Sequence, residues 1–499
     1  MTLEQALTRL DALEEAQYAY GHAMGMLYID GDTVAPRRSV TGRGKTLGYL
    51  SEASYKVFVN DEVKEALETI LAHADAVTAV QRRRAEVLKE DYDEMTRIPM
   101  DEYVAFAQLS SEASAVWHEA KEKSDYPMFA PYLAKLIDYR RRFAAYKDDK
   151  KPAYDVLLDS FEKGTSMATL DPFFATLRER LTPVIHAVGE KPAPRVDFIH
   201  GDFPLWKQRI LTQRVMAMMG IDPERCVTAE TEHPFTSGLN KWDVRLTTHY
   251  YPEDVSDNLY SILHEGGHAL YELGVDDALQ FTCLGSGSSM SIHESQSRFY
   301  ENYIGRSLPF CRALLPVLKE LFPAEMQGVT PEMLYAAVNR AQPSLIRIQA
   351  DELTYSMHVM IRYELEKLML AGEVTVDELP KLWNDMYKQY LGVTVPNDRE
   401  GILQDSHWSG VSFGYFPSYS LGSAYGAQML RTMEKELNPW PSVEKGDFSP
   451  VTAWLGERIH RHGKLLTPAQ ILESAIGEPF DPTCYTDYLT RKFSKLYGL

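Results

Sequence analysis

The sequence is short of cysteine, of long apolar runs, of positive charge and of alternating polar and apolar residues, and each shortage removes a class of protein. Four cysteines, Cys226, Cys283, Cys311 and Cys484, stand far apart in 499 residues with no CxxC pair. That excludes a disulfide framework and predicts reduced, buried thiols. No apolar run approaches the ~20 residues that cross a bilayer. Met1, Thr2, Leu3, Glu4 and Gln5 carry neither the basic segment nor the apolar core of a signal peptide, so a cytoplasmic setting is expected. The 52 basic residues are outnumbered by 71 acidic ones, a net charge of −19, which argues against a nucleic-acid or anionic-membrane partner. An anionic substrate would still need arginines placed for it. Few stretches alternate with period two, and no period of about 20–50 residues recurs, so a solenoid is unexpected.

What is present is helix. From Leu3 onward apolar residues recur at three and four, as in Leu3, Leu7, Leu10, Leu13, Ala16 and Tyr20. The pattern continues to about residue 150, broken by a Pro- and Gly-containing stretch at 36–45 that reads as a loop. Arg140, Arg141 and Arg142 read as a solvated helix face. Helices are predicted over 173–188 and 204–219, joined by a connection rich in Pro and Gly. The chain is long enough for more than one core. Residues 1–190 read as a mostly helical N-terminal lobe and 191–499 as the part carrying the chemistry. Within 228–251 the character changes. The run from Trp242 to Tyr251 is β-branched and aromatic, a strand signature. A strand directly before the next helix often forms a cleft edge, where a peptide can lie as an added strand. Further helices are predicted over 331–341, 350–370, 376–390 and 467–499. An aromatic, glycine-bearing loop over 413–422 stands ready to line a cleft or pack a turn.

The most informative stretch is His264-Glu265-Gly266-Gly267-His268. It lies within 259–273, which reads as helix. Positions i and i+4 share a face, with Cβ atoms about 5–6 Å apart. Two imidazoles so placed can share one zinc at roughly 2.0–2.1 Å. Glu265 points beside the metal, where it can take a proton from a water held there. Mid-helix glycine is roughly 1 kcal/mol worse than alanine, so Gly266 and Gly267 suit a helix that something approaches closely. The competing reading is a buried amphipathic helix that happens to carry two histidines. Gly274 suits the end of this helix.

A Gly- and Ser-rich loop follows, and a new helix is predicted from about Ile292. Glu294 on that helix is a sensible third ligand for a catalytic zinc, which keeps three protein ligands and one open position. His293 and Glu301 compete with it on spacing alone, and Glu294 could instead be an ordinary acid at a helix N-terminus. Arg347, Asp351 and Glu352 lie among apolar neighbours, as polar residues turned inward would.

HExxH with a glutamate on the following helix resembles the gluzincin metallopeptidases, and within them the M32 metallocarboxypeptidases of the carboxypeptidase Taq type. Six motifs stand in order: His233-Pro234-Phe235; Asp243-x-Arg245-x-Thr247; His264-Glu265-x-x-His268; His293-Glu294-Ser295-Gln296; Ile346-Arg347-x-x-Ala350-Asp351; and Gly401-x-x-Gln404-Asp405-x-His407-Trp408. The resemblance implies zinc ligands His264, His268 and Glu294, with Glu265 as catalytic acid and base. It implies a mainly α fold, a single large helical body with a deep groove and a small β-sheet beside the zinc helix, usually as a homodimer. The implied activity is removal of single residues from peptide C-termini, with broad specificity that excludes proline. The implied cofactor is Zn2+, for which Co2+ often substitutes.

The chemistry asks for two further kinds of residue. A second donor to the oxyanion is sought among His407, Tyr415 and Tyr419, each of which could equally be packed or hydrogen-bonded core. A receptor for the substrate carboxylate is best an arginine. Arg347 is slightly favoured over Arg245, though either could be spent in a structural ion pair with Asp351 or Asp243. Gln404 and Asp405 are expected to orient a ligand or His407, and His233 to serve a turn. An endo-acting helical oligopeptidase of the gluzincin type is the alternative, and a scaffold with a structural zinc is the third reading.

Overall fold

The computed structural model describes every residue from Met1 to Leu499. Nine α-helices come first: α1 Leu3–Thr33, α2 Val40–Phe58, α3 Asp61–Ala72, α4 Ala79–Arg97, α5 Met100–Lys123, α6 Tyr126–Lys147, α7 Ala153–Phe161, α8 Met167–Gly189 and α9 Leu205–Met219. Three strands follow, β1 Cys226–Glu230, β2 Thr236–Asn240 and β3 Asp243–Thr248. Then come α10 Ser256–Gly274 and α11 Met290–Arg298, the latter running on as a π-helical turn, Phe299–Ile304. The rest is α12 Leu308–Leu321, α13 Pro331–Val338, α14 Tyr355–Ala371, α15 Leu379–Leu391, α16 Pro417–Glu436, α17 Trp440–Val443, α18 Ser449–Arg458, α19 Pro468–Ile476 and α20 Thr483–Tyr497. The mainly α reading holds. No helix is long and apolar enough to cross a membrane.

Apolar burial organises these helices. One core of 101 buried residues begins on α5 and continues to α20, and a small separate cluster, Val275, Leu279 and Leu284, packs against Val80 and Val87 of α4. The first four helices close over a separate core of 11 residues, including Leu10, Leu13, Leu67 and Leu88. Cys226, Cys311 and Cys484 are buried, Cys283 is partly so, and all four thiols are free.

The structure departs from the sequence reading at definite points. The expected loop over 36–45 ends early, because a 3-10 turn, Arg37–Ser39, feeds α2 at Val40. Gly42, Gly44 and Gly48 ride on that helix with open space around them. The basic cluster is not a solvated face. Only Arg142 is exposed, while Arg141 reaches the last carbonyls of α14 at Leu370 and Met369, a charge-favoured helix end. The predicted strand is present as β3, but it is the middle strand, in the order β1-β3-β2. Its partners are β1, parallel (Cys226 beside Val244), and β2, antiparallel (Ser237 beside Arg245). Both of its edges are therefore used, and the outer strands are β1 and β2. The terminal segment divides into α19 and α20, and the aromatic loop ends early, since Pro417 starts α16 and puts Tyr419 in its first turn.

Close packing explains three glycines around the motif. A Cβ on Gly267 would sit 2.5 Å from the Gln296 carbonyl oxygen and 2.7 Å from the Ser297 Cα, so α10 and α11 touch backbone to backbone there. A Cβ on Gly266 would meet only side-chain ends, Met219 Cε at 2.6 Å and Ile221 Cδ1 at 3.2 Å. Gly274 closes α10 with no left-handed turn; a Cβ there would lie 2.6 Å from the Cβ of His460, so its smallness serves packing. Gly267→Ala is therefore expected to lower unfolding stability by about 1–3 kcal/mol through overpacking, and to weaken metal binding by pushing the two helices apart. Gly266→Ala should be milder, as urea-unfolding midpoints and chelator competition on both variants will read.

Candidate metal centre

Helix α10 begins with two of its orphan donors satisfied by one side chain. The Asp254 carboxylate accepts from the Ser256 and Asp257 backbone N–H groups at 2.6 and 3.2 Å. Apolar residues on either side of the motif, Leu259, Ile262, Leu263, Ala269 and Leu270, are buried. That burial turns His264 and His268 toward α11. The Ser289 hydroxyl caps α11 by accepting from the Ile292 N–H at 3.2 Å. Gly422 on α16 makes room for Glu294, since a Cβ there would lie 2.8 Å from the Glu294 Cβ.

The result is a compact donor set. Glu294 Oε2 lies 3.8 Å from His264 Nε2 and 3.7 Å from His268 Nε2. All three donor atoms fall within 4.8 Å of one another. A tetrahedral ion at ~2.0–2.1 Å from each would set them roughly 3.4 Å apart, so the two distances to Glu294 need only a few tenths of an ångström of closure. The side chains of His264 and His268 keep 21% and 18% of their surface, which leaves the pair open to solvent.

Each donor residue has its other polar atom engaged. His264 Nδ1 lies 2.9 Å from Glu301 Oε2. His268 Nδ1 lies 2.6 Å from His293 Nδ1, and His293 Nε2 lies 2.7 Å from Glu272 Oε1. Glu294 Oε1 accepts from Arg298 Nε at 2.7 Å, and Oε2 takes only the Ser297 hydroxyl, at 3.2 Å. Such outer contacts fix ring orientation and tautomer around a metal. The donor chemistry and this wiring fit a divalent ion.

Charge follows the same plan. Burial pulls the His264 imidazolium down, but Glu294 and Glu301 outweigh it and the net direction is up. Burial drives His268 well below the usual histidine range, and the neighbouring His293 and His264 add to it. Burial pushes Glu301 up, but Arg298, His264 and Arg306 overcome it and hold that carboxyl far below the ordinary range. Glu265, 8% exposed, is pushed up by burial. Its Oε2 lies 2.7 Å from the Thr236 hydroxyl on β2, so the edge strand braces the carboxylate beside the donor set.

The remaining residues singled out by sequence fall in two places. Arg347 is buried, with Nε 2.9 Å from Asp405 Oδ1 and Nη1 3.0 Å from the Tyr355 hydroxyl. The second oxygen of Asp405 is taken by Arg362 Nε at 2.8 Å. Gln404 Oε1 accepts from the Arg347 backbone N–H at 2.9 Å. The alternative pairing of Arg347 with Asp351 is absent, because Asp351 turns to cap the chain before α14 through the Leu353 and Thr354 N–H groups. Tyr419 stands with its ring 5.1 Å from the Arg347 guanidinium, and Tyr415 stands perpendicular to it at 5.0 Å. His407 Nε2 is 3.3 Å from the Tyr419 hydroxyl. Burial and Arg347 lower His407 to about 4, so it is neutral at pH 7, and burial lifts Tyr415 to about 12. Tyr355 joins this group to the donor set, since the Arg298 guanidinium stacks 4.5 Å over its ring. Arg245 sits elsewhere, on β3 and paired with Asp243. The His233 carbonyl accepts from the Thr231 hydroxyl at 2.9 Å, in a turn.

Sequence reasoning passed over Arg298, Glu272, Arg362 and Glu366. Helical spacing could have found one of them, since Arg298 follows Glu294 by four and bonds to it; Glu272, Arg362 and Glu366 bond instead to His293, Asp405 and Trp408, far from them in sequence. Glu366, fully buried, is lifted to about 7 by burial. It accepts from the Trp408 indole N–H, the Tyr154 hydroxyl and the Gly414 N–H, each at 2.9 Å. It thereby ties down both ends of the segment carrying His407 and Tyr415.

Residues 9–493 match the family described as carboxypeptidase Taq (M32) metallopeptidase. "Carboxypeptidase 1" of Bacillus subtilis is 40% identical over 484 residues, 96% of each chain. "Thermostable carboxypeptidase 1" of Pyrococcus furiosus is 34% identical over 505 residues, covering 99% of this chain and 98% of that one. Among solved structures, the M32 carboxypeptidase of Deinococcus radiodurans R1 superposes with a TM-score of 0.96 at 34% identity, over 99% of this chain and all of that one. Metallocarboxypeptidase 1 of Trypanosoma cruzi gives 0.93 at 31% identity, over 98% of this chain and 99% of that one.

Proposed function

The chain belongs to the carboxypeptidase Taq (M32) metallopeptidase family, and on that premise we propose that His264, His268 and Glu294 hold its divalent ion, zinc, with Glu265 as general base and acid. The protein is a metallocarboxypeptidase, a peptide-bond hydrolase acting on peptides. The observation that carries the residue assignment is the convergence of two Nε2 atoms and one carboxylate oxygen, each on a side chain whose other polar atom is already bonded.

When bound, the ion supplies Lewis acidity, bringing the pKa of a water toward 7 and polarising the scissile carbonyl. Glu265, raised by burial and steadied by Thr236, accepts a proton from the attacking water and returns it to the leaving amine. Tyr415 and Tyr419 carry hydroxyl donors for the developing oxyanion. Neutral His407 serves them through its contact with the Tyr419 hydroxyl. Arg347 receives the substrate carboxylate. Two guanidiniums, those of Arg347 and Arg362, share the single carboxylate of Asp405, which leaves one positive charge in excess within a strongly acidic protein. Arg245, spent on Asp243, holds the sheet.

The peptidase unit spans the whole chain, with 191–499 bearing the site; the 1–190 lobe divides, α1–α4 closing over a core of their own and α5–α8 sharing the core of 191–499. Broad release of single C-terminal residues other than proline, a homodimer and a cytoplasmic setting complete the proposal. The test is a timed digest of one peptide with a free and with an amidated C-terminus, read by mass. The free peptide is expected to shorten stepwise and the amide to survive. Cleavage of both at internal bonds would establish an endopeptidase instead. Arg347→Lys, which loses a fork bonded to a charge, is expected to raise KM about 10–100-fold, or ~1.5–3 kcal/mol, with a smaller change in kcat.

A further inference from the structure

The two metal-facing imidazoles are braced differently. His264 meets a carboxylate directly, and that carboxylate, on Glu301, is itself matched by Arg298 and Arg306. His268 instead meets a second imidazole, with Nδ1 to Nδ1 at 2.6 Å, and only behind it stands a carboxylate, Glu272, 2.7 Å from His293 Nε2. His293 is the one ion-pair partner of Glu272. Room has been made for this chain of groups. A Cβ on Gly238 would lie 2.7 Å from Glu272 Oε2, and a Cβ on Gly287 would lie 2.5 Å from His293 Cδ2. The Gly287 N–H, 3.1 Å from Glu272 Oε1, holds the carboxylate in place.

The Glu272 Oε1 that faces His293 already accepts from the Gly287 N–H, and with that oxygen as acceptor His293 must donate from Nε2. A neutral His293 then accepts at Nδ1. His268 must therefore donate from its own Nδ1, which leaves a bare lone pair at Nε2, the atom facing Glu294. The opposite order would require a doubly protonated His293 and a proton on His268 Nε2, where the ion belongs. We propose that His293 is a positioning residue, which fixes the tautomer and ring orientation of His268 and hands on the negative charge of Glu272. The proposal rests on His264, His268 and Glu294 being the ligands. It separates the neighbouring residues His293 and Glu294 into two duties, one supporting the ion from behind His268 and one facing it.

The test is metal affinity rather than turnover. Zn2+ is titrated into the metal-stripped full-length protein against a competing chelator, and Co2+ is followed by its visible absorption. His293→Phe is expected to weaken binding about 10–100-fold and to shift the cobalt spectrum. Glu272→Gln should weaken it less. The double variant should be no worse than His293→Phe alone, because Glu272 acts only through the ring. His293→Asn, whose amide oxygen can replace the Nδ1 acceptor, should recover most of the affinity and become indifferent to Glu272→Gln. It also carries the test if the phenylalanine variant does not fold. Wild-type affinity in His293→Phe, or losses that simply add in the double variant, would overturn the proposal. The ligand assignment is read separately: unchanged binding in Glu294→Gln would overturn both, whereas loss there with normal binding in His293→Phe would overturn this inference alone.

Discussion

Glu265→Gln is expected to lower kcat by about 10²–10⁴-fold, or ~3–5 kcal/mol of barrier, the usual worth of a positioned proton-transfer group. The amide keeps the shape of the carboxyl and can still receive the Thr236 hydroxyl, so the fold and the bound ion should survive. What disappears is the only carboxylate that stands beside the donor set without a cation attached. Glu294 is held by Arg298, and Glu301 by Arg298 and Arg306. KM should change little, because Arg347 bonds to Asp405 and Tyr355 and not to Glu265. The measurement is kcat and KM on one free-ended peptide, with metal content assayed in parallel. Full turnover in a metal-replete Glu265→Gln protein would mean that the ion is structural and the chemistry lies elsewhere.

Stripping the ion is the second large effect. Dialysis against a strong chelator should reduce hydrolysis by at least ~10³-fold, since a Lewis acid supplies several kcal/mol of transition-state stabilisation. Restoration should saturate at one divalent ion per chain, and comparing Zn2+ with Co2+ tests the choice of metal. Stability should fall with activity. An ion present at 100 times its Kd contributes about 2.7 kcal/mol, and removing it leaves two imidazoles and a carboxylate gathered with nothing between them. Glu294→Gln should imitate the stripped state at ordinary metal concentrations, with an added loss of stability from Arg298, which would lose the carboxylate on its Nε. If stripped protein digests peptide at the original rate, the centre takes no part in catalysis.

Much of this centre was legible before any coordinates. His264 and His268 share a face because four residues are one turn of helix, and Glu265 stands aside for the same reason. The costly glycines of the motif pointed to a close approach, which Gly267 makes against the backbone of α11. The thiols are free, as the cysteine spacing implied. Other readings failed because their evidence was only local. A strand directly before α10 is expected at a cleft edge, yet β3 lies in the middle, because β1 and β2 pair with its two sides. Arg141 carries the charge of a surface residue, yet spends it on the carbonyl end of α14. Asp351 stands four residues from Arg347, but the chain there is an interrupted 3-10 turn, so the spacing that would pair them on a helix does not apply.

The sequence alone, then, settled whatever repeats within one or two turns of a single helix: the paired imidazoles, the offset carboxylate, the apolar stripes. Tertiary structure decided which of His293, Glu294 and Glu301 turns toward that pair. The choice depends on how far α11 slides along α10 before their backbones touch at Gly267, and on the π-helical turn that carries Glu301 behind His264. Helical phase is a local property of the chain, whereas the distance between two helices is set by every side chain packed around them. For that reason a motif could indicate the metal and only the packed body could assign the residues around it.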